Sequence, residues 1–142
     1  MAKQEQATFE LVQLVVGLGE RMRQHYASRT SELDLTPAQG HALRELTGGP
    51  LPMGELAARM HCDASNVTGV SDRLEARGLL ERGPSPGDRR VKVLSLTEDG
   101  RALHQELWRR LMKDSPVSRG LDESERRTLR DLLRKLDAAA PE

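Results

Sequence analysis

Residues 61–82, HCDASNVTGVSDRLEARGLLER, run directly into GPSPGDRRVKVLSL. If Ala64 to Arg77 is helical, Val67, Val70 and Leu74, with Ser71, share one face. Ser65, Asn66, Thr68, Gly69, Asp72, Arg73 and Ala76 share the other. The first turns of that second face are small and polar. Asparagine can pair its amide with an adenine edge, and serine and threonine can reach bases or phosphates. A major groove about 12 Å wide admits such a helix, and bulky side chains there would block close approach. Arg73 lies one turn further along, placed for a phosphate. Gly69 costs about 1 kcal/mol relative to alanine in a helix interior. Close approach to a DNA backbone is one account of it; tight packing within the protein or simple tolerance is the other.

The loop supplies a second set of donors. Arg89 and Arg90 end a stretch with two prolines and two glycines, and Lys92 follows on the next strand. An arginine at a hairpin tip suits the narrow, electronegative minor groove. Taken alone, a charged hairpin is a solvated turn; beside a small-faced helix it reads as the second DNA contact.

Other chemistry finds little support. The histidines His25, His41, His61 and His104 show no close metal-ligand spacing, and no metal or cofactor is expected. No nucleophile elbow, phosphate loop or metalloprotease motif is present, so an enzyme is not expected. Cys62 precedes the small-faced helix, where a thiol pKa can fall, but it reads more simply as a small turn residue.

The elements that must hold this pair of features are legible around it. The segment from about Gln4 to Ser28 has a wide apolar stripe that includes Phe9, Val12, Val15 and Val16, with Leu11, Leu14 and Leu18 broadening it. Burial against a second subunit explains that breadth better than an intrachain core does. Thr36, Pro37 and Gln39 form a capping box with proline at the first helical position, and Gly48, Gly49 and Pro50 end that helix. A short helix follows at about Gly54 to Met60. Asp63 is placed to cap the helix Ala64 to Arg77, and Gly78 to stop it. Short apolar flanks around the Gly/Pro loop predict a strand pair. Thr97 caps a further helix reaching about Lys113. Asp122 and Glu125 open a last one lined by Leu129, Leu132, Leu133 and Leu136. The order is four helices, a hairpin and two helices. Two short helices on a tight turn followed by a hairpin define a winged helix-turn-helix.

Composition sets bounds. The 142 residues suit one compact domain, 37% of them are hydrophobic and 31% charged. No apolar run approaches the roughly 20 residues that span a bilayer, and no signal-peptide layout is visible. With a single cysteine, these features point to the cytoplasm. Basic and acidic residues balance at 22 each, which argues against a general polyanion sponge but leaves room for a local basic patch. Non-specific DNA binding should be weak and salt-sensitive.

At LTPAQGHALREL, MGELAARM, SNVTGVSDRLEARGLLER and PSPGDRRVKVLSLTEDG, with the final leucine-rich helix, the chain resembles the MarR-type regulators, named for multiple antibiotic resistance. The likeness covers almost the whole chain in order. It implies a mainly α fold: a winged helix-turn-helix at about 36–96 with a two-stranded wing, and a connecting helix at 97–114. Helices at about 1–30 and 116–142 would form a dimerisation region. It implies a homodimer on a pseudo-palindromic operator in double-stranded DNA, usually a repressor released by a small-molecule effector. Carried over by position, Ser65, Asn66, Thr68 and Gly69 match the base-facing part of the recognition helix, and Arg73 matches a backbone contact. Asp88 and Arg90 match the wing Asp-x-Arg pattern. Asp72 is placed to pair with the wing arginine, in which case Arg90 braces the wing and Arg89 is left to touch DNA. Family members often take small aromatic or phenolic ligands in a cleft, which here would be lined by Arg21, His25, Tyr26, His41 and Trp108; the same residues also suit core and surface. Oxidant-sensing members resemble one another in a cysteine on the first helix, which this chain lacks. The rival expectation is a winged-helix module that binds protein without specific DNA recognition, and exposed apolar residues on the recognition face would favour it.

Overall fold

The computed structural model describes residues 2–141. It contains helices α1 (Lys3–Ser31), α2 (Pro37–Leu46), α3 (Met53–Arg59) and α4 (Ala64–Ala76), strands β1 (Leu80–Pro84) and β2 (Lys92–Leu96), then α5 (Glu98–Met112) and α6 (Glu123–Ala138). The fold is mainly α, a winged helix-turn-helix with a two-stranded wing. The chain divides into two compact units, Tyr26–Arg110 and Met1–His25 with Leu111–Glu142.

The first of these units carries the winged helix. Its α2 starts at the expected capping box: the Gln39 backbone N–H donates to Thr36 Oγ1 at 3.1 Å, and the Thr36 N–H donates to Gln39 Oε1 at 3.0 Å. Between them they satisfy two of the donors that a helix start leaves open. The start of α4 differs from expectation. Asp63 takes the extended backbone of a cap, but its side chain accepts no bond from the helix. An exposed carboxylate has water as a competing donor, so its spacing from the helix start does not oblige it to cap. The end of α4 is well defined. Gly78 takes φ +69°, its N–H donates to Glu75 O, and the Leu79 N–H donates to Leu74 O. These two bonds are a Schellman closure, which uses the left-handed backbone that glycine adopts without strain.

The strands pair antiparallel, from Leu80 opposite Leu96 to Pro84 opposite Lys92. Leu51 adds an isolated bridge to Leu94, a third extended piece that the sequence did not suggest. An aliphatic core holds these elements: Leu43, Leu46, Leu56, Val67, Leu74 and Leu107 are each at most 2% exposed. Ser71 belongs to this buried seam, as its helical spacing implied. The end of α1 runs past the expected Ser28 because Thr30 is buried and donates to the carbonyls of Tyr26 and Ala27. Arg77 closes the next turn by donating to the carbonyls of Leu33 and Asp34.

One junction is unusually tight. The Thr97 hydroxyl donates to Gly78 O at 2.6 Å and accepts the Gly100 N–H at 3.0 Å, which caps α5 as expected. A Cβ on Gly100 would stand 1.9 Å from Leu79 O. No side chain fits there without moving backbone.

The second unit holds the N-terminal part of α1 and all of α6. Asp122 and Glu125 form the expected capping box at the start of α6. No residue of α6 is buried, although Leu132, Leu133 and Leu136 share one face. Phe9, Val12, Val15 and Val16 on α1 are likewise more than half exposed.

Gly100→Ala is expected to destabilise the protein by about 1–3 kcal/mol or more, through overpacking against Leu79. Gly87→Ala, where an added Cβ meets nothing within 4 Å, should stay within about 0.5 kcal/mol of wild type. Urea unfolding of both variants beside the wild type checks this; equal midpoints would show that α5 and the wing base can separate freely.

Candidate nucleic-acid interface

The recognition surface is built on α4. Val67, Ser71 and Leu74 are buried, which turns Ser65, Asn66, Thr68, Gly69, Asp72 and Arg73 outward, all of them exposed. The seam that anchors the helix therefore also sets the face it presents. The Thr68 hydroxyl donates to Ala64 O at 2.9 Å, so its hydrogen is used within the helix while its oxygen and methyl remain open. A Cβ on Gly69 would meet nothing within 4 Å. That removes tight packing within the chain as the reason for this glycine. No large apolar side chain interrupts this exposed face.

The wing loop is shaped by three local bonds. The Ser85 N–H donates to Val91 O at 2.7 Å, the Val91 N–H to Asp88 O at 3.1 Å, and the Arg90 N–H to Asp88 Oδ1 at 2.9 Å. Asp88 thus ties the loop, an Asx-type turn. Arg89 and Arg90 are exposed beyond it, and Lys92 follows on β2. Among the described residues no carboxylate pairs with Arg73, Arg89, Arg90 or Lys92. By contrast, Arg23, Arg29, Arg59, Arg109 and Arg110 each have a glutamate three or four residues away. Local pairing consumes these five cations, whereas Arg73, Arg89, Arg90 and Lys92 are left free.

The expected brace between Asp72 and Arg90 is not formed. Asp72 pairs instead with Arg82 on β1, and the same guanidinium reaches Glu75 at 3.0 Å. Both wing arginines are left without that role. The sequence pattern pointed to the wing arginine, whereas Arg82, opposite Leu94 in the hairpin, is the one the fold sets beside Asp72.

The residues suggested for a ligand cleft are partly brought together. Tyr26 and His41 line a cavity of about 350 Å³ with Pro37, Ala38 and Arg44. Arg44, which sequence reasoning missed, is its main charge. It lies 3.3 Å from His41 and 3.1 Å from Glu45. Burial pushes the Tyr26 hydroxyl pKa up, against the pull of Arg44. Burial pushes His104 down and Arg44 adds to that, so the imidazole favours its neutral form. Burial alone would raise the Glu45 carboxyl, but Arg44 and His41 outweigh it and hold the carboxyl below its ordinary value. Trp108 stacks on His104 with ring centroids 6.3 Å apart and does not line this cavity. His25 donates from Nε2 to Leu111 O at 2.9 Å, and Arg21 is exposed. Cys62 is half-buried and free. No metal-holding group of three His, Cys, Asp or Glu side chains occurs among the described residues. No helix among them is long and apolar enough to cross a membrane.

Known proteins share this arrangement. The model of the MarR family matches residues 35–92, from just before α2 to the start of β2. The HTH-type transcriptional repressor NicR of Pseudomonas putida is 37% identical over 89 residues, 62% of this chain and 56% of NicR. The chain thus spans only about half the length of some relatives. The multiple antibiotic resistance protein MarR of Salmonella typhimurium is 30% identical over 129 residues, 89% of this chain and 88% of that protein. Among solved structures, a cysteine-to-serine mutant of MarR from E. coli complexed with operator DNA superimposes with a TM-score of 0.71 at 26% identity, covering 92% of this chain and 95% of that one. The matched relatives are named as transcription regulators and not as enzymes. The chain belongs to the MarR family of winged-helix transcription regulators.

Proposed function

We propose that this protein is a homodimeric repressor that binds a pseudo-palindromic operator in double-stranded DNA. The observation that carries the proposal is the outward face of α4 beside the wing: small, polar, without large apolar side chains, and flanked by cations that no carboxylate neutralises. Ser65, Asn66, Thr68 and Gly69 enter the major groove and Arg73 meets a phosphate. Gly69 lets the helix backbone come close. Arg89 and Arg90 reach the minor groove, with Lys92 on the adjacent backbone. Asp88 acts through the shape of the loop. The polar face of α4 tells against a protein-binding module.

The exposed apolar faces of α1 and α6 support the dimer. Fully burying one leucine stabilises by roughly 1.5–3 kcal/mol, and Leu132, Leu133 and Leu136 all remain about half exposed or more in the single chain. Two recognition helices in successive major grooves place the half-sites about 10 base pairs apart. A small aromatic or phenolic effector is proposed for the cavity beside Tyr26, His41 and Arg44. Arg44 supplies a charge-assisted bond to a carboxylate or phenolate, and the ring packs on apolar wall.

Selection of bound duplexes from a random pool should enrich an inverted repeat. Asn66→Ala should cost about 1–3 kcal/mol and relax choice at one position, while Arg89→Ala with Arg90→Ala should weaken binding to all sequences. A double wing variant that binds normally would remove the minor-groove contact. Leu132→Glu with Leu136→Glu should give a folded monomer in analytical ultracentrifugation; a persisting dimer would move the interface off α6. Arg44→Ala should weaken binding of hydroxybenzoates about 10–100-fold in a tryptophan-fluorescence titration, the loss expected for one charge-assisted hydrogen bond. Unchanged affinity would place the effector elsewhere.

A further inference from the structure

We propose that Arg82 is a positioning residue for DNA recognition: it sets the wing against the recognition helix by holding two carboxylates on α4. This rests on the DNA-binding function proposed above and assigns the element that fixes the spacing of its two contacts.

The geometry is specific. Asp72 and Glu75 are three residues apart, so they stand one above the other on the same side of α4. Arg82 projects from β1 and pairs with both, its Nη2 with Asp72 and its Nε with Glu75 at 3.0 Å. A planar guanidinium held through two of its nitrogens resists rotation, which a point-charge ammonium does not. Asp72 lies one turn beyond Thr68 on the outward face, and Arg82 lies two residues before Pro84 and the wing loop. The clamp therefore joins the two elements close to where each would meet DNA.

Stability does not account for it. The three side chains are between 39% and 60% exposed, and exposed ion pairs contribute little to folding. Electrostatic attraction to DNA does not account for it either. Asp72 and Glu75 place two negative charges on the face that meets phosphate, and they occupy an arginine that would otherwise be free to bind one. An arrangement that adds little stability and reduces attraction is explained by the orientation it imposes.

The test is a double-mutant cycle on operator and random duplexes, with the full-length protein. Arg82→Gln is one side, and Asp72→Asn with Glu75→Gln is the other. The Asn/Gln pair makes the protein more positive, so charge alone would tighten its binding to every duplex. The positioning role instead predicts that operator affinity falls fivefold or more for either side, while random-duplex affinity is unchanged or rises. The ratio of the two affinities therefore falls. Combining both sides should cost no more than either alone, since each breaks the same clamp. Arg82→Lys, which keeps the charge but not the fork, should recover only part of the loss. Melting temperatures should stay near wild type throughout; were Arg82→Gln to melt early, Arg82→Lys would take its place, and Asp72→Asn alone would take the place of the Asn/Gln pair. Unchanged operator affinity, tighter operator binding by the Asn/Gln pair, or additive losses would each overturn the role of Arg82. Failure of the wild type to enrich any duplex would instead remove the DNA-binding function itself.

Discussion

The structure depends on one seam. Val67, Ser71 and Leu74 sink α4 into the aliphatic core, and the face that α4 presents follows from that burial. The part of a helix that enters a groove cannot be held from its outward side, so the Arg82 clamp grips α4 only beyond its first two turns. The anchoring of those first turns comes from the inward stripe and from the helix ends. The stripe here is narrow and includes a serine, so the ends carry much of the definition. The Schellman closure at Gly78 and the bonds from Arg77 to Leu33 and Asp34 fix the C-terminal end. The N-terminal end lacks a side-chain cap and presents its open N–H groups to solvent. An uncapped helix start with a partial positive charge also suits an anionic partner such as a phosphate.

Much of the architecture was legible in the sequence because the signals are local. The capping boxes at Thr36 and Asp122, the proline at the first turn of α2 and the glycine after α4 depend on neighbours within four residues. What was not legible depends on choices between distant partners. Asp72 was expected to pair with Arg90 of the wing, and the fold sets Arg82 of β1 beside it instead. Arg44 looked like an ordinary surface residue of α2 until the fold set it beside Tyr26 and His104. The extended piece at Leu51 pairs with Leu94, 43 positions away, and has no local strand signal. The extra turn of α1 rests on a buried threonine whose hydroxyl bonds within the helix, and helix propensity does not register it.

Net charge was a poor guide to surface chemistry. A balance of 22 basic and 22 acidic residues looks featureless. In three dimensions several arginines away from α4 and the wing are matched within a turn of their own helix, while Arg73, Arg89 and Arg90 have no carboxylate partner. The molecule is neutral in total and directional in detail.

Leu79 gives the winged-helix unit a mechanical property. Its N–H closes α4, its carbonyl accepts the N–H of Thr97, and Gly100 of α5 rests against its backbone with no room for a methyl group. The next residue begins β1. Three elements thus meet at one residue, with Thr97 alone between β2 and α5. Turning the first turn of α5 must carry the end of the recognition helix and the root of the wing with it. A shift of that first turn would therefore bear on both through the backbone of Leu79.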